Sequence, residues 1–180
     1  MRLFIGLPLS CEAEENTAAL ADAAQRVLPG RYVLRSNYHM TLAFLGETPS
    51  KRLDDVRQVL DAFAGQFPAP RLTLGGLSHF GREENAILIR TVRSLDNLDA
   101  MHECLLSLLR QRGLPFTDGP FTPHVTLARH ADLTGAAGFS SPVPDISFTA
   151  PQAVLYLSAR DDQNILRYTP LHRAAFRLFP

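Results

Sequence analysis

The stretch Pro120–His130, PFTPHVTLARH, leads into an apolar strand that has a histidine at its head, His124, with Thr126 two places on. Ser36–Gly46, SNYHMTLAFLG, does the same with His39 and Thr41. Residues i and i+2 of a strand face the same way. His39, Thr41 and Ala43 therefore share one face, and Met40, Leu42 and Phe44 the other. In the second copy His124, Thr126 and Ala128 oppose Val125 and Leu127. The apolar sets pack against helices and leave an imidazole, a hydroxyl and a small side chain facing inward. Pro123 biases Thr122 toward extended backbone and so helps start the second strand. A lone histidine at a strand end is most often structural. Two copies of His-x-Thr-Leu-Ala in the same setting are a far more specific signal.

Outward from these motifs the chain reads as alternating strands and helices. RLFIGLPL at residues 2–9 is a strand, and Ser10 or Cys11 caps a helix over 12–28 that Pro29-Gly30 ends. RYVLR is a short strand ahead of HMTLAFLG. Residues 48–67 form an amphipathic helix with Leu53, Val56, Val59, Leu60 and Phe63 at helical spacing. RLTLGGLSHF and AILIRTV are extended segments joined by the turn-like GREEN. A third helix spans residues 94–113, closed by Gly113. A Gly/Ser/Pro-rich loop covers 134–145, and two extended segments, SFTAPQAVLYLSAR and LRYTPLHRAAFRLF, finish the chain. Strand, helix, strand and two further strands thus occur roughly twice. The expected fold is α+β: one domain over 1–180, duplicated into two pseudo-equivalent lobes. Mainly antiparallel sheets line a central cleft, helices lie on the outer sides, and each lobe holds one motif (39–41 and 124–126).

The bulk properties narrow the function. The chain has 180 residues, 46% of them hydrophobic and 20% charged, with 18 basic against 18 acidic side chains. That balance argues against duplex DNA or a membrane surface as partner, while a small anion or an RNA end needs only a local cluster. Two cysteines, Cys11 and Cys104, are too few for a disulfide framework and lack metal-type spacing, so a cytoplasmic protein is expected, and a monomer. No apolar run is long enough for a membrane span. MRLFIGLPLS is followed by CEAEEN in place of a longer apolar core and a cleavage site, so a first strand is the better reading than a signal peptide.

Two imidazoles facing one cleft suit acid–base chemistry near neutral pH, one taking a proton from a nucleophile while the other gives one to a leaving group. Hydroxyl donors beside them can hold the nonbridging oxygens of a phosphate, where charge accumulates in the transition state. In-line displacement at phosphorus wants base and acid on opposite sides, which two related strands supply. The residues alone leave open which histidine is which.

HMTLAFLG and HVTLAR resemble the two His-x-Thr/Ser-x motifs of the two-histidine phosphoesterases. RLFIGLPL, SNYHMTLAFLGE, PFTPHVTLAR and LYLSARDDQNILRYTPLHR are similar to stretches of its bacterial RNA 2′,3′-cyclic phosphodiesterase branch, once called 2′-5′ RNA ligases. The chain departs from many relatives in having no Trp. The resemblance implies cofactor-free, metal-independent hydrolysis of a 2′,3′-cyclic phosphate at an RNA end to a 2′-phosphate, with weak 2′-5′ ligation as related chemistry. It assigns His39 as proton donor, His124 as proton acceptor, and Thr41 and Thr126 as phosphate-contacting hydroxyls. Two alternatives stand beside it: a relative acting on another nucleotide phosphodiester, such as a 2′-5′ oligoadenylate or a cyclic ADP-ribose derivative, and a non-catalytic module that binds RNA ends.

Arg129, directly after the second motif, is a candidate substrate-binding residue, although strict alternation puts it on the face opposite His124. Phe44 reads as core in preference to base stacking by the same rule, and Arg35, Arg160, Arg167 and Tyr168 as solvated surface in preference to contacts with ribose, base or the RNA chain. His79, His102, His130 and His172 have no partner motif. His102-Glu103-Cys104 resembles a metal cluster in composition only, and Cys104 lacks the setting of a nucleophile. No phosphate-binding loop or dinucleotide fingerprint is present, so no ATP or NAD dependence is indicated.

Overall fold

A computed structural model describes residues 1–94, 96–135 and 143–177. The elements are β1 (Arg2–Pro8), α1 (Cys11–Gln25), β2 (Arg31–Tyr32), β3 (His39–Glu47), α2 (Leu53–Ala64), β4 (Arg71–Phe80), β5 (Ala86–Ser94), α3 (Leu98–Gln111), β6 (His124–Ala131), β7 (Ile146–Thr149), β8 (Gln152–Arg160) and β9 (Leu166–Ala175). Among the described residues the strands form one sheet in the order β7-β4-β5-β6-β3-β1-β8-β9, with β2 paired to β6. Every named pair is antiparallel, and the sheet curls into a half-barrel, in line with the expected α+β class.

Local signals set most boundaries. Ser10 caps α1, its hydroxyl accepting from Ala13 N–H at 3.2 Å, with Glu12 and Glu14 in the positive first turn. The second helix is shorter than its apolar spacing suggests, because Ser50–Arg52 form a tight 3-10 turn after Pro49 and Gly65 ends the helix. The extended segment 147–160 divides into β7 and β8 around Ala150-Pro151, where proline has no N–H for a ladder. Most of the loop read at 134–145 lies outside the described residues, as does the very end of the last segment. Among the described residues no helix is long and apolar enough to cross a membrane.

The repeating unit seen in the sequence is sorted differently in space. One side of the sheet is β7-β4-β5-β6, and the other is β3-β1-β8-β9. The halves of the sheet are therefore not the halves of the chain: β1 and β3 are completed by β8 and β9 from the far end. The sides meet at a narrow seam, where β3 and β6 share the single register pair Met40–Val125. Leu3, Ile5, Leu7, Met40, Leu42, Val125, Leu127 and Leu155 bury one face of the sheet in a common core with Leu20, Leu60, Phe63, Leu105 and Leu109 of the helices. The opposite face stays open along the seam.

Among the described residues one charge is buried with that core. Arg90 of β5 is fully buried, and its guanidinium donates to Gly75 O at 2.8 Å, Thr17 Oγ1 at 3.0 Å and Pro144 O at 3.3 Å. Burial lowers its pKa, with Asp145 opposing. These bonds pin α1, which follows β1, across onto the β4–β5 side. Replacing Arg90 with Ala removes the donor from three acceptors at once and leaves a cavity, so Arg90→Ala is expected to lose about 3 kcal/mol or more of unfolding free energy in a urea titration. A loss below about 1 kcal/mol, the size of an ordinary surface change, would show that water replaces the guanidinium freely.

Candidate active site

Both motif strands carry an extra residue at the same place. Along β1–β3 the register runs Leu7–Met40, Gly6–Thr41, Ile5–Ala43, Phe4–Phe44, so Leu42 is passed over. Along β5–β6 it runs Arg90–Val125, Ile89–Thr126, Leu88–Ala128, so Leu127 is passed over. A β-bulge of this kind shifts the alternation by one residue beyond it. The consequence corrects two expectations. Phe44, read as core, is 43% exposed and lines the cleft, and so does Arg129, five residues past its histidine as Phe44 is past the other. Each bulge also leaves a carbonyl outside the ladder, and each is satisfied from elsewhere. Leu42 O accepts from His102 Nδ1 at 2.8 Å, and Leu127 O accepts from Val33 N at 2.8 Å. The solitary His102, buried and stacked on Phe121 with ring centroids 4.2 Å apart, is thus a prop for the first bulge.

The seam fixes how the motifs face each other. Extending the Met40–Val125 register by one residue each way sets His39 across from Thr126 and Thr41 across from His124. Each imidazole is oriented alike. His39 Nδ1 lies 2.7 Å from Asn37 O, and His124 Nδ1 lies 2.7 Å from Thr122 O. A carbonyl only accepts, so both rings carry the Nδ1 proton and keep Nε2 for chemistry. His39 Nε2 takes the Thr41 hydroxyl at 3.0 Å. His39, Thr41, His124, Thr126 and Arg129 line one cavity of about 220 Å³, which Asn37, Phe44, Phe80 and Tyr168 help to wall.

The surroundings of the two histidines differ. His39 is packed by Phe4, Tyr156 and Tyr168, with centroids at 4.6, 5.8 and 5.1 Å, whereas His124 meets Phe80 edge-on at 4.9 Å. Burial pushes the His39 pKa down to about 4. The bond to Asn37 O opposes this, and the charges of His124 and Arg129 add to it. Asn37 is a functional residue that the sequence reading passed over. It is buried in a 3-10 turn, where it donates Nδ2 to Leu166 O at 2.8 Å and accepts Tyr168 N–H at 3.1 Å. It therefore ties β9 to the carbonyl that orients His39. Tyr168, read as surface, belongs to the cavity wall.

The remaining candidates lie apart from the cavity. Arg35 pairs with Glu14 at 2.6 Å, and Arg167 with Asp161 at 2.9 Å. His130 meets Asn85, and His172 meets Asp61. Cys104 donates to Gln66 at 3.6 Å, with burial pushing its thiol pKa up. Among the described residues no cluster of three or more His, Cys, Asp or Glu forms a metal-type group.

In an NMR titration the His39 ring should stay neutral until about pH 4. Its unfolded counterpart binds a proton near the ordinary value of 6.5, so stability should rise with pH between about 4 and 6.5 and fall away on acidification through that window. An inflection near 6.5 would mean that the ring is solvated.

The family model of the 2′-5′ RNA ligase superfamily matches residues 12–162. A Geobacillus stearothermophilus protein named RNA 2′,3′-cyclic phosphodiesterase is 31% identical over 85% of this chain, which spans about half (51%) of that relative's length. The Escherichia coli K12 protein of the same name is 29% identical over 97% of this chain and 96% of its own. The crystal structure of E. coli LigT complexed with 3′-AMP superposes with a TM-score of 0.77 at 27% identity, covering 98% of both chains. With the family match extending over most of its length and through both histidine motifs, the chain belongs to the 2′-5′ RNA ligase superfamily.

Proposed function

We propose that the protein hydrolyses the 2′,3′-cyclic phosphate at an RNA end to a 2′-phosphomonoester by acid–base catalysis with its two histidines. The observation that carries this reading is the crossed quartet at the seam. Two imidazoles held through Nδ1, with the Nε2 of His39 on the Thr41 hydroxyl and each ring across from the other motif's threonine, share one cavity with Arg129. Relatives bearing the name RNA 2′,3′-cyclic phosphodiesterase support the substrate class.

His124 is the base. It lies on the less enclosed side, where a water can reach it, and its Nε2 takes the water's proton as the oxygen attacks phosphorus. The bond to the 3′ oxygen breaks on the opposite side, and His39 delivers a proton to that oxygen from Nε2. A neutral His39 in the free protein is consistent with this role, because an anionic phosphodiester brings the counter-charge that raises its pKa. Thr41 and Thr126 then donate to nonbridging oxygens, the Thr41 hydroxyl turning from Nε2 once that nitrogen carries the proton, and Arg129 offsets the developing charge. A 5′-hydroxyl in the place of water would form a 2′-5′ linkage through the same proton transfers, so weak ligation accompanies hydrolysis. The chain is read as one domain of two pseudo-equivalent lobes, for which the matching bulges are the support.

A short RNA ending in a 2′,3′-cyclic phosphate, incubated with the protein in EDTA and followed by phosphorus NMR, should yield the 2′-phosphate. His39→Ala and His124→Ala should each slow turnover on the order of a thousandfold. Untouched substrate, a 3′-phosphate product or unimpaired variants would overturn the reading.

Gly6 supplies a second test. A Cβ there would stand 2.9 Å from Met40 O and 3.1 Å from His39 Cδ2. Gly6→Ala should therefore displace the imidazole and lower kcat by roughly ten- to a hundredfold while circular dichroism stays parental. Parental kcat would show that His39 is not held against β1.

A further inference from the structure

Past Tyr168 the cavity continues into a second groove of about 480 Å³, bounded by Arg2, Phe4, Phe44, Arg129, Arg160 and Tyr168. Phe44, Arg129 and Tyr168 belong to both spaces. The groove follows from strand register: Arg2 and Phe4 are two apart on β1, Ser158 and Arg160 two apart on β8, and these pair with Tyr168 and Leu166 of β9. All project from the face that bears His39.

Its charge is unbalanced. No Asp or Glu lines the groove. Among the described residues the side chains of Arg2 and Arg129 make no hydrogen bond or ion pair, and that of Arg160 donates only to the Asn164 carbonyl, at 2.6 Å. The adjacent carboxylates are engaged elsewhere: Glu47, across from Arg2, takes the terminal ammonium of Met1 at 3.2 Å, and Asp161 is held by Arg167. In a chain of zero net charge, this is a local set of guanidiniums without carboxylate partners beside an aromatic wall, on the same face as the phosphate cavity. Guanidinium donors of this kind suit phosphate oxygens.

We propose that the groove is a second binding site, for the RNA chain on the 5′ side of the terminal nucleotide, with Arg2 and Arg160 each taking an internucleotide phosphate. The inference rests on the hydrolase reading above. It makes the protein an enzyme of RNA termini that discriminates against free cyclic mononucleotides.

The test compares kcat/KM for a nucleoside 2′,3′-cyclic phosphate and for a short oligoribonucleotide ending in the same nucleotide. It is run across a salt series with the parent, Arg2→Ala, Arg160→Gln and the double variant. The oligonucleotide should be favoured by about tenfold or more at low salt, and its advantage should decline with a log–log slope of about −1.4, or about −0.7 per phosphate. Each single variant should lose roughly three- to tenfold on the oligonucleotide, and the double variant should lose the whole advantage. The cyclic mononucleotide should stay within about twofold of parent in all, which also reports an intact fold. Equal kcat/KM for the two substrates in the parent, or an advantage that survives in the double variant, would overturn the groove. If the parent turns over neither substrate, the hydrolase reading fails. The groove is then judged by fluorescence anisotropy of the same oligonucleotide, where equal binding by parent and double variant overturns it.

Discussion

Leu42 and Leu127 stand outside the ladders their neighbours make with β1 and β5, and each presents a carbonyl whose donor comes from outside those two ladders. A buried carbonyl without a donor costs about 1–3 kcal/mol, so the bulges persist only because His102 and Val33 supply the missing donors. The cleft depends on those two bonds. Without the extra residue, Phe44 and Arg129 would fall on the core face, one as an added aromatic and the other as an unpaired charge. With it, the core face keeps Met40, Leu42, Val125 and Leu127, and the open face gains an aromatic ring and a guanidinium beyond the threonines.

Within this near-symmetric frame the two imidazoles are made unequal by packing. Both are oriented by the same device, a carbonyl two residues earlier on Nδ1. What differs is the second layer. Three aromatic rings close around His39, and one ring stands against His124. Desolvation disfavours an imidazolium at His39, the more deeply packed of the two rings. Two strands of like sequence thus carry two copies of one group, and the surrounding side chains give them different environments.

The motifs, the strand character of their flanks and the antiparallel α+β class were legible because alternation and repetition are local. The bulges were not, since alternation assumes that every residue is paired. Their trace was present, however: Leu42-Ala43 and Leu127-Ala128 put two core residues side by side in both copies, where a regular strand allows one. Asn37 and Tyr168 were hidden for another reason. Their significance lies in bonds to each other across more than half the chain, and a polar residue in a turn looks the same whether or not a distant strand docks on it. The sorting of the strands between the two sides was likewise beyond a linear reading.

That sorting bears on how the protein comes into being. β1 finds its neighbour β8 only after nearly all of the chain exists, and β9, whose backbone bonds to Asn37, is later still. Loop closure over such separations is slow, and chains dominated by distant pairings fold slowly. During synthesis the first motif emerges early, when of its three enclosing rings Phe4 has been made and Tyr156 and Tyr168 have not. The enclosure of His39 is therefore completed only by the last two strands of the chain.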